Sequence, residues 1–185
     1  HISIMVDEIL EVLAIRPGEI GYDATLGYGG HTAKMLEKLE GQGHMYATDV
    51  DPIESAKTKK RLADMGYGED ILTIRLMNFA NMDEVAPGEK FDFILADLGV
   101  SSMQIDNPER GFTFKFDGPL DLRLDPTRGE TAAERLMQLD YMSLVSILRE
   151  NSDEPYAEEI AKAIMRRHKN GQFITTTQGL RAAIA

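Results

Sequence analysis

The run Asp23-Ala24-Thr25-Leu26-Gly27-Tyr28-Gly29-Gly30-His31-Thr32 sets a glycine loop between an apolar stretch and a helical one. Glycines at such a junction let a ligand approach the backbone and present amides at a helix N-terminus. Asp49 follows Gly29 by twenty residues and closes a second apolar stretch. A carboxylate in that place can accept hydrogen bonds from both ribose hydroxyls of an adenosine cofactor. Dinucleotides and S-adenosylmethionine share the arrangement. The dinucleotide loop G-x-G-x-x-G needs a third glycine where this chain has Thr32, so the loop leans toward the methyl donor. Asp23 suits a carboxylate near the donor's ammonium group and equally a solvated strand residue or an acceptor that braces the loop.

Two further stretches end in chemistry-bearing residues. Met77-Asn78-Phe79 offers an aromatic ring for an adenine, or a core side chain. Phe91 to Leu98 is almost all apolar until Asp97, with Ser101 and Ser102 close behind. Ligands of open α/β sheets lie beyond the carboxyl ends of the strands, which makes Asp97 a functional candidate. The chain has no cysteine. Methylation at carbon 5 of a pyrimidine uses a cysteine nucleophile, whereas methylation of an exocyclic amine needs alignment and acceptors for the amine protons. Asp97, Ser101 and Ser102 are the candidate acceptors. His1, His31, His44 and His168 have no metal-ligand spacing, so no metal site is expected, and a G-x-S-x-G elbow is absent. Arg166-Arg167-His168-Lys169 suits a helix C-terminus, or an RNA-phosphate contact.

The elements that must position these residues alternate over the first hundred positions. Helical spacing predicts a helix from Ser3, as its cap, to Ile15; strands are expected at 20–26, 43–50, 71–77 and 91–98, with helices between. Asp51-Pro52-Ile53-Glu54 predicts a helix start with a capping box. This βαβ alternation implies a parallel sheet covered on both faces. Residues 101–130 have no period; from Thr131 the pattern is helical, with a Thr131–Glu134 capping box and a fourth helix capped by Thr177.

The 185 residues carry a net charge of −11. Residues 1–100 hold 9 basic and 18 acidic side chains, residues 101–185 hold 11 and 13. A nucleic acid would need a local cationic patch, and the second half is the better place for one. No apolar run is long enough for a membrane span and no signal peptide is visible, so a cytoplasmic protein is expected. The absence of cysteine fits a reducing compartment, and the first residue, His1, reads as the start of a fragment.

HISIMVDEIL, DATLGYGGHT, ATDVDP, MNF, ADLGVSSMQIDNPERGFTF and DGPLDLRLDPTRGETAAE together resemble the bacterial RsmH (MraW) family, the 16S rRNA (cytosine-N(4))-methyltransferases. The resemblance runs from His1 to the end. It implies a class I S-adenosylmethionine-dependent methyltransferase core, a Rossmann-like α/β fold, with an inserted helical domain that helps receive RNA. The expected division is a core over 1–103 and a loop-rich helical insertion over 104–185. The family pattern continues with further strands that this chain does not contain. On matching positions the implied cofactor contacts are Gly29, Gly30, His31, Asp49, Phe79, Asp97 and Gln104; His31 and Gln104 come from the resemblance alone. The implied substrate is a cytidine in the decoding region of small-subunit rRNA, methylated on its exocyclic amine. A nicotinamide-dependent oxidoreductase and a noncatalytic cofactor-binding module are the alternatives.

Overall fold

The computed structural model describes residues 3–185; His1 and Ile2 lie outside the described residues. The chain forms two compact units, His1–Ser101 and Ser102–Ala185. The division falls two residues before the expected one, because Ser102–Ile105 is a short helix (α4) whose first carbonyl accepts the Asp106 N–H, and it belongs to the second unit.

In the first unit β1 (Ile20–Asp23), β2 (His44–Asp49), β3 (Leu72–Leu76) and β4 (Phe93–Leu95) form one sheet in the order β3-β2-β1-β4, and every pair is parallel. Between them run α2 (Gly30–Leu39) and α3 (Pro52–Asp64). The chain steps outward from β1 through β2 to β3, then returns to pair β4 on the other side of β1. That reversal makes a topological switch point, where side chains at the carboxyl ends can border a crevice.

Side chains alternate across the sheet with a period of two. Met45, Ala47, Leu72 and Phe93 are buried with Met35, Leu36 and Leu39 of α2 and Leu62 of α3. Gly21 lies on this face, where an added Cβ would run into the Phe93 ring. The opposite face holds a smaller cluster of Tyr22, Ala24 and Val85, with Tyr22 stacked on Phe91 at 5.1 Å between centroids. At β4, Ile94 is 48% exposed, and the strand is three residues long instead of eight.

Helix starts follow residue chemistry with three corrections. The first helix, α1 (Val6–Leu13), begins after Met5 in a left-handed conformation with no side-chain cap; Ser3 lies against Gly30 instead. Asp51 caps α3 through the N–H groups of Ile53 and Glu54, but the box is not closed. The Asp51 N–H donates to Asp49, and Glu54 pairs with Lys57 at 2.9 Å. Thr176, not Thr177, caps the last helix, α8 (Thr177–Ile184).

The second unit is helical from α5 (Ala132–Gln138), which starts with the Thr131–Glu134 capping box, through α6 (Tyr141–Ser152) and α7 (Ala157–Lys169) to α8. Leu144, Val145, Ala161 and Ile164 form its core with Leu120 and Ile174. The aperiodic segment before it is ordered by specific bonds. Buried Arg110 donates to the carbonyls of Arg123 and Leu124, and the Arg123 guanidinium grips Asp121 at 2.8 and 2.7 Å. The Leu120 N–H donates to Thr175 O, which ties this thread to the chain entering α8.

Candidate functional site

Backbone bonds lock the four strand ends together. Met77 N donates to Asp49 O, Leu26 N to Thr48 O, and Ala24 N to Leu95 O, each at 2.9 Å. Thr25 extends the chain of bonds by accepting the Asp97 N–H on its Oγ1 at 2.8 Å. Phe79, Asp49, the glycine loop and Asp97 thus follow four adjacent parallel strands at their carboxyl ends. Four strands at their usual spacing span about 14 Å, long enough for an extended nucleoside carrying an amino-acid arm.

The glycine loop is clamped from both sides. Gly29 is the N-cap of α2 with φ +79°, and an added Cβ would stand 2.6 Å from Thr58 Cγ2. Thr58 Oγ1 donates to Gly27 O, and the Arg61 guanidinium donates to Tyr28 O while lying 3.5 Å over the Tyr28 ring. On the strand side Asp49 Oδ2 accepts the Gly27 N–H at 2.7 Å and its Oδ1 accepts the Asp51 N–H at 2.9 Å. Each carboxylate oxygen has a second lone pair, so Asp49 retains acceptor capacity for two hydroxyls. Burial holds its pKa above the ordinary carboxylate range, against the lowering effect of the Asp51 and Gly27 N–H groups.

His31 is buried at the start of α2, with Nε2 2.9 Å from Ile4 O and Nδ1 3.8 Å from Asp97 Oδ2. Asp97 itself is half exposed. Phe79 opens a 3-10 helix, Phe79–Glu84, and the residue is 43% exposed, which answers the core alternative. Gly30 is the first residue of α2, and Ser101 ends the first unit. The structure therefore aligns Gly29, Gly30, His31, Asp49, Phe79 and Asp97 along one sheet edge. Ser102 and Gln104 lie on α4 of the second unit, with Gln104 buried.

Asp23 resolves toward the bracing role. It is wholly buried, accepting the Thr32 hydroxyl at 2.6 Å and the Thr25 N–H at 3.0 Å, and burial raises its pKa. Asp23→Ala strands both donors and is expected to lower the unfolding free energy by about 3 kcal/mol; Asp23→Asn keeps an acceptor and costs about 1. Urea titration checks both. Because the folded-state pKa is raised, the folded chain binds more protons than the unfolded chain just above the ordinary carboxylate pKa. Wild-type stability then falls as pH rises through that window, and the Asn variant gains on it.

Thr25, Thr32, Thr58 and Arg61 are the positioning residues that sequence reasoning missed. Thr32 had registered as a missing glycine only. The basic cluster 166–169 occupies the last turn of α7, where Arg167 donates to Ala182 O and the cations complement the helix end.

A family model described as the MraW methylase family matches residues 1–185. Three curated relatives, each aligned over the whole of this chain, are ribosomal RNA small subunit methyltransferases H. The one from Agathobacter rectalis is 68% identical, with 53% of its own length covered. That from Lachnoclostridium phytofermentans is 62% identical with 51% covered, and that from Leptothrix cholodnii 39% with 57%. The chain spans about half the length of the curated relatives it matches.

Proposed function

The chain belongs to the MraW methylase family, and on that premise we propose that it carries the S-adenosylmethionine site of an enzyme that methylates the exocyclic N(4) amine of a cytidine in the decoding region of 16S rRNA. Its first unit has the α/β fold of a class I methyltransferase, a Rossmann-like parallel sheet, and its second unit is the helical domain that receives the RNA within the small ribosomal subunit. The observation that carries the reading is the alignment of Gly29, Asp49, Phe79 and Asp97 at the carboxyl ends of adjacent strands. The donor set fits the methyl donor: a carboxylate with spare lone pairs for a ribose, an exposed aromatic residue for an adenine, and backbone amides in a glycine loop. When bound, the cofactor supplies an electrophilic methyl on a positively charged sulfur.

The protein's part is positioning. Thr25 fixes the Asp97 backbone to the glycine loop, and His31 stands behind the Asp97 carboxylate. Asp97 is exposed enough to accept a proton from a substrate amine and carries the charge to hold it. Ser101 and Ser102 are proposed as further acceptors that orient the amine, and Gln104 as a cofactor contact. These 185 residues offer no cysteine to attack a pyrimidine ring, which supports nitrogen over carbon 5 as the methyl acceptor.

Incubating the full-length protein with labelled S-adenosylmethionine and small ribosomal subunits, then digesting the RNA to nucleosides, tests the reading. Label is expected in N(4)-methylcytidine. Label in 5-methylcytidine, or none at all, contradicts it. The dinucleotide alternative is disfavoured by Thr32: its buried hydroxyl is bonded to Asp23 at the point where a third glycine would admit close helix packing.

A further inference from the structure

The second unit contains a cavity of about 270 Å³ that the cofactor site does not use. Its walls include Phe112, Phe114, Leu120, Leu122 and Leu180, with Arg181 among the lining residues. We infer that this cavity is a stacking pocket for one unpaired nucleobase of the RNA, with the Phe114 ring as its platform and Arg181 as the cation for the adjoining phosphate. The inference rests on the reading of RNA as substrate and assigns a base-binding subsite on the second unit.

Four observations carry it. Phe114 and Phe116 are 62% and 66% exposed, which leaves them at the surface of the second unit. Lys115 stands between them in sequence, and the Arg181 guanidinium lies 5.5 Å from the Phe114 ring centroid. Aromatic faces interleaved with cations are the chemistry of single-stranded nucleic-acid binding, where the ring takes the base and the cation the backbone. The nearby carboxylate of Asp117 is engaged, accepting the Gln178 N–H at 3.1 Å.

The cavity is also the right size. It lies just below the range of ~300–1,000 Å³ that receives drug-sized molecules, which leaves room for a single base. Its wall is rigid: Gln178 donates to Phe114 O, and Thr177 donates to Phe116 O. Leu122 is held at φ +62° with its N–H donating to Arg110 O. A branched residue forced into the left-handed region is strained, and such strain clusters at ligand sites.

The test is equilibrium binding of a 16S rRNA transcript to the full-length protein at several salt concentrations, without cofactor. Phe114→Leu keeps the apolar volume but removes the π face, and is expected to weaken binding about tenfold, with Phe114→Tyr restoring it. Arg181→Gln is expected to reduce the dependence of log affinity on log salt by about one. Binding of S-adenosylhomocysteine should be unchanged in all three. Wild-type RNA affinity in Phe114→Leu overturns the inference. So does a lowered melting temperature with RNA affinity intact, which assigns the cavity to protein packing. A wild-type protein that binds RNA through Phe114 but transfers no methyl sinks the methyltransferase reading and leaves this inference standing. Normal methylation with an indifferent Phe114→Leu does the reverse.

Discussion

Asp97→Ala is expected to lower the turnover of methyl transfer by about 10²–10⁴-fold, the usual contribution of a positioned proton acceptor. The fold should tolerate the change. The side chain is half exposed, and the bond that fixes this segment to the glycine loop comes from the Asp97 backbone N–H, which alanine keeps. Thermal unfolding is therefore expected to move by less than about 0.5 kcal/mol. Asp97→Asn separates charge from shape, because it preserves an acceptor oxygen without the negative charge that draws the proton. If proton acceptance matters, Asn resembles Ala in turnover; if orientation alone matters, Asn resembles wild type. Single-turnover assays with labelled donor and small ribosomal subunits read the difference. Undiminished turnover in Asp97→Ala removes this carboxylate from the chemistry.

Asp49→Ala is expected to weaken binding of S-adenosylhomocysteine by about 1.5–3 kcal/mol, through loss of charge-assisted hydrogen bonds to a ribose. The same substitution frees the Gly27 N–H, so the loop loses one of its clamps as well. Asp49→Asn should retain part of the binding. The pH dependence follows from the raised pKa of Asp49, caused first by its burial. Only the ionised form offers both oxygens as acceptors, so affinity is full above that pKa. It declines as pH falls through it, beginning at a higher pH than an ordinary carboxylate would dictate. Isothermal calorimetry at successively lower pH should give a declining affinity for wild type and a flat profile for Asp49→Ala. Equal affinity of the two proteins at neutral pH removes Asp49 from the ribose.

The parts of this site that local chemistry determines were legible in sequence. Gly29 needs its positive φ, Asp51 is a strong N-cap, and Asp49 must end a strand that the apolar pattern of residues 43–50 already outlines. The clamps were not legible. Thr58 reaches Gly27 across 31 positions and Thr25 meets Asp97 across 72, and neither threonine carries a local signal of its partner. The fourth strand occupies only Phe93–Leu95 of the apolar run 91–98, because apolar composition by itself does not fix where a ladder begins and ends. The aperiodic segment after Ser101 resisted periodicity because it is organised by side-chain bonds to backbone, Arg110 to the carbonyls of Arg123 and Leu124 above all. The resemblance identified that segment as part of a family pattern, but only the structure gives its physical role, a thread pinned beneath the helices of the second unit.

The central claim, that these strand ends form one adenosine site, is tested most directly by a crystal structure of the full-length protein with S-adenosylhomocysteine. The account predicts the ribose hydroxyls on the Asp49 carboxylate, the adenine against Phe79 and the amino-acid arm along the glycine loop toward Asp97. An adenosine lying anywhere else on the molecule, with Asp49 bonded only to Gly27 and Asp51, contradicts it.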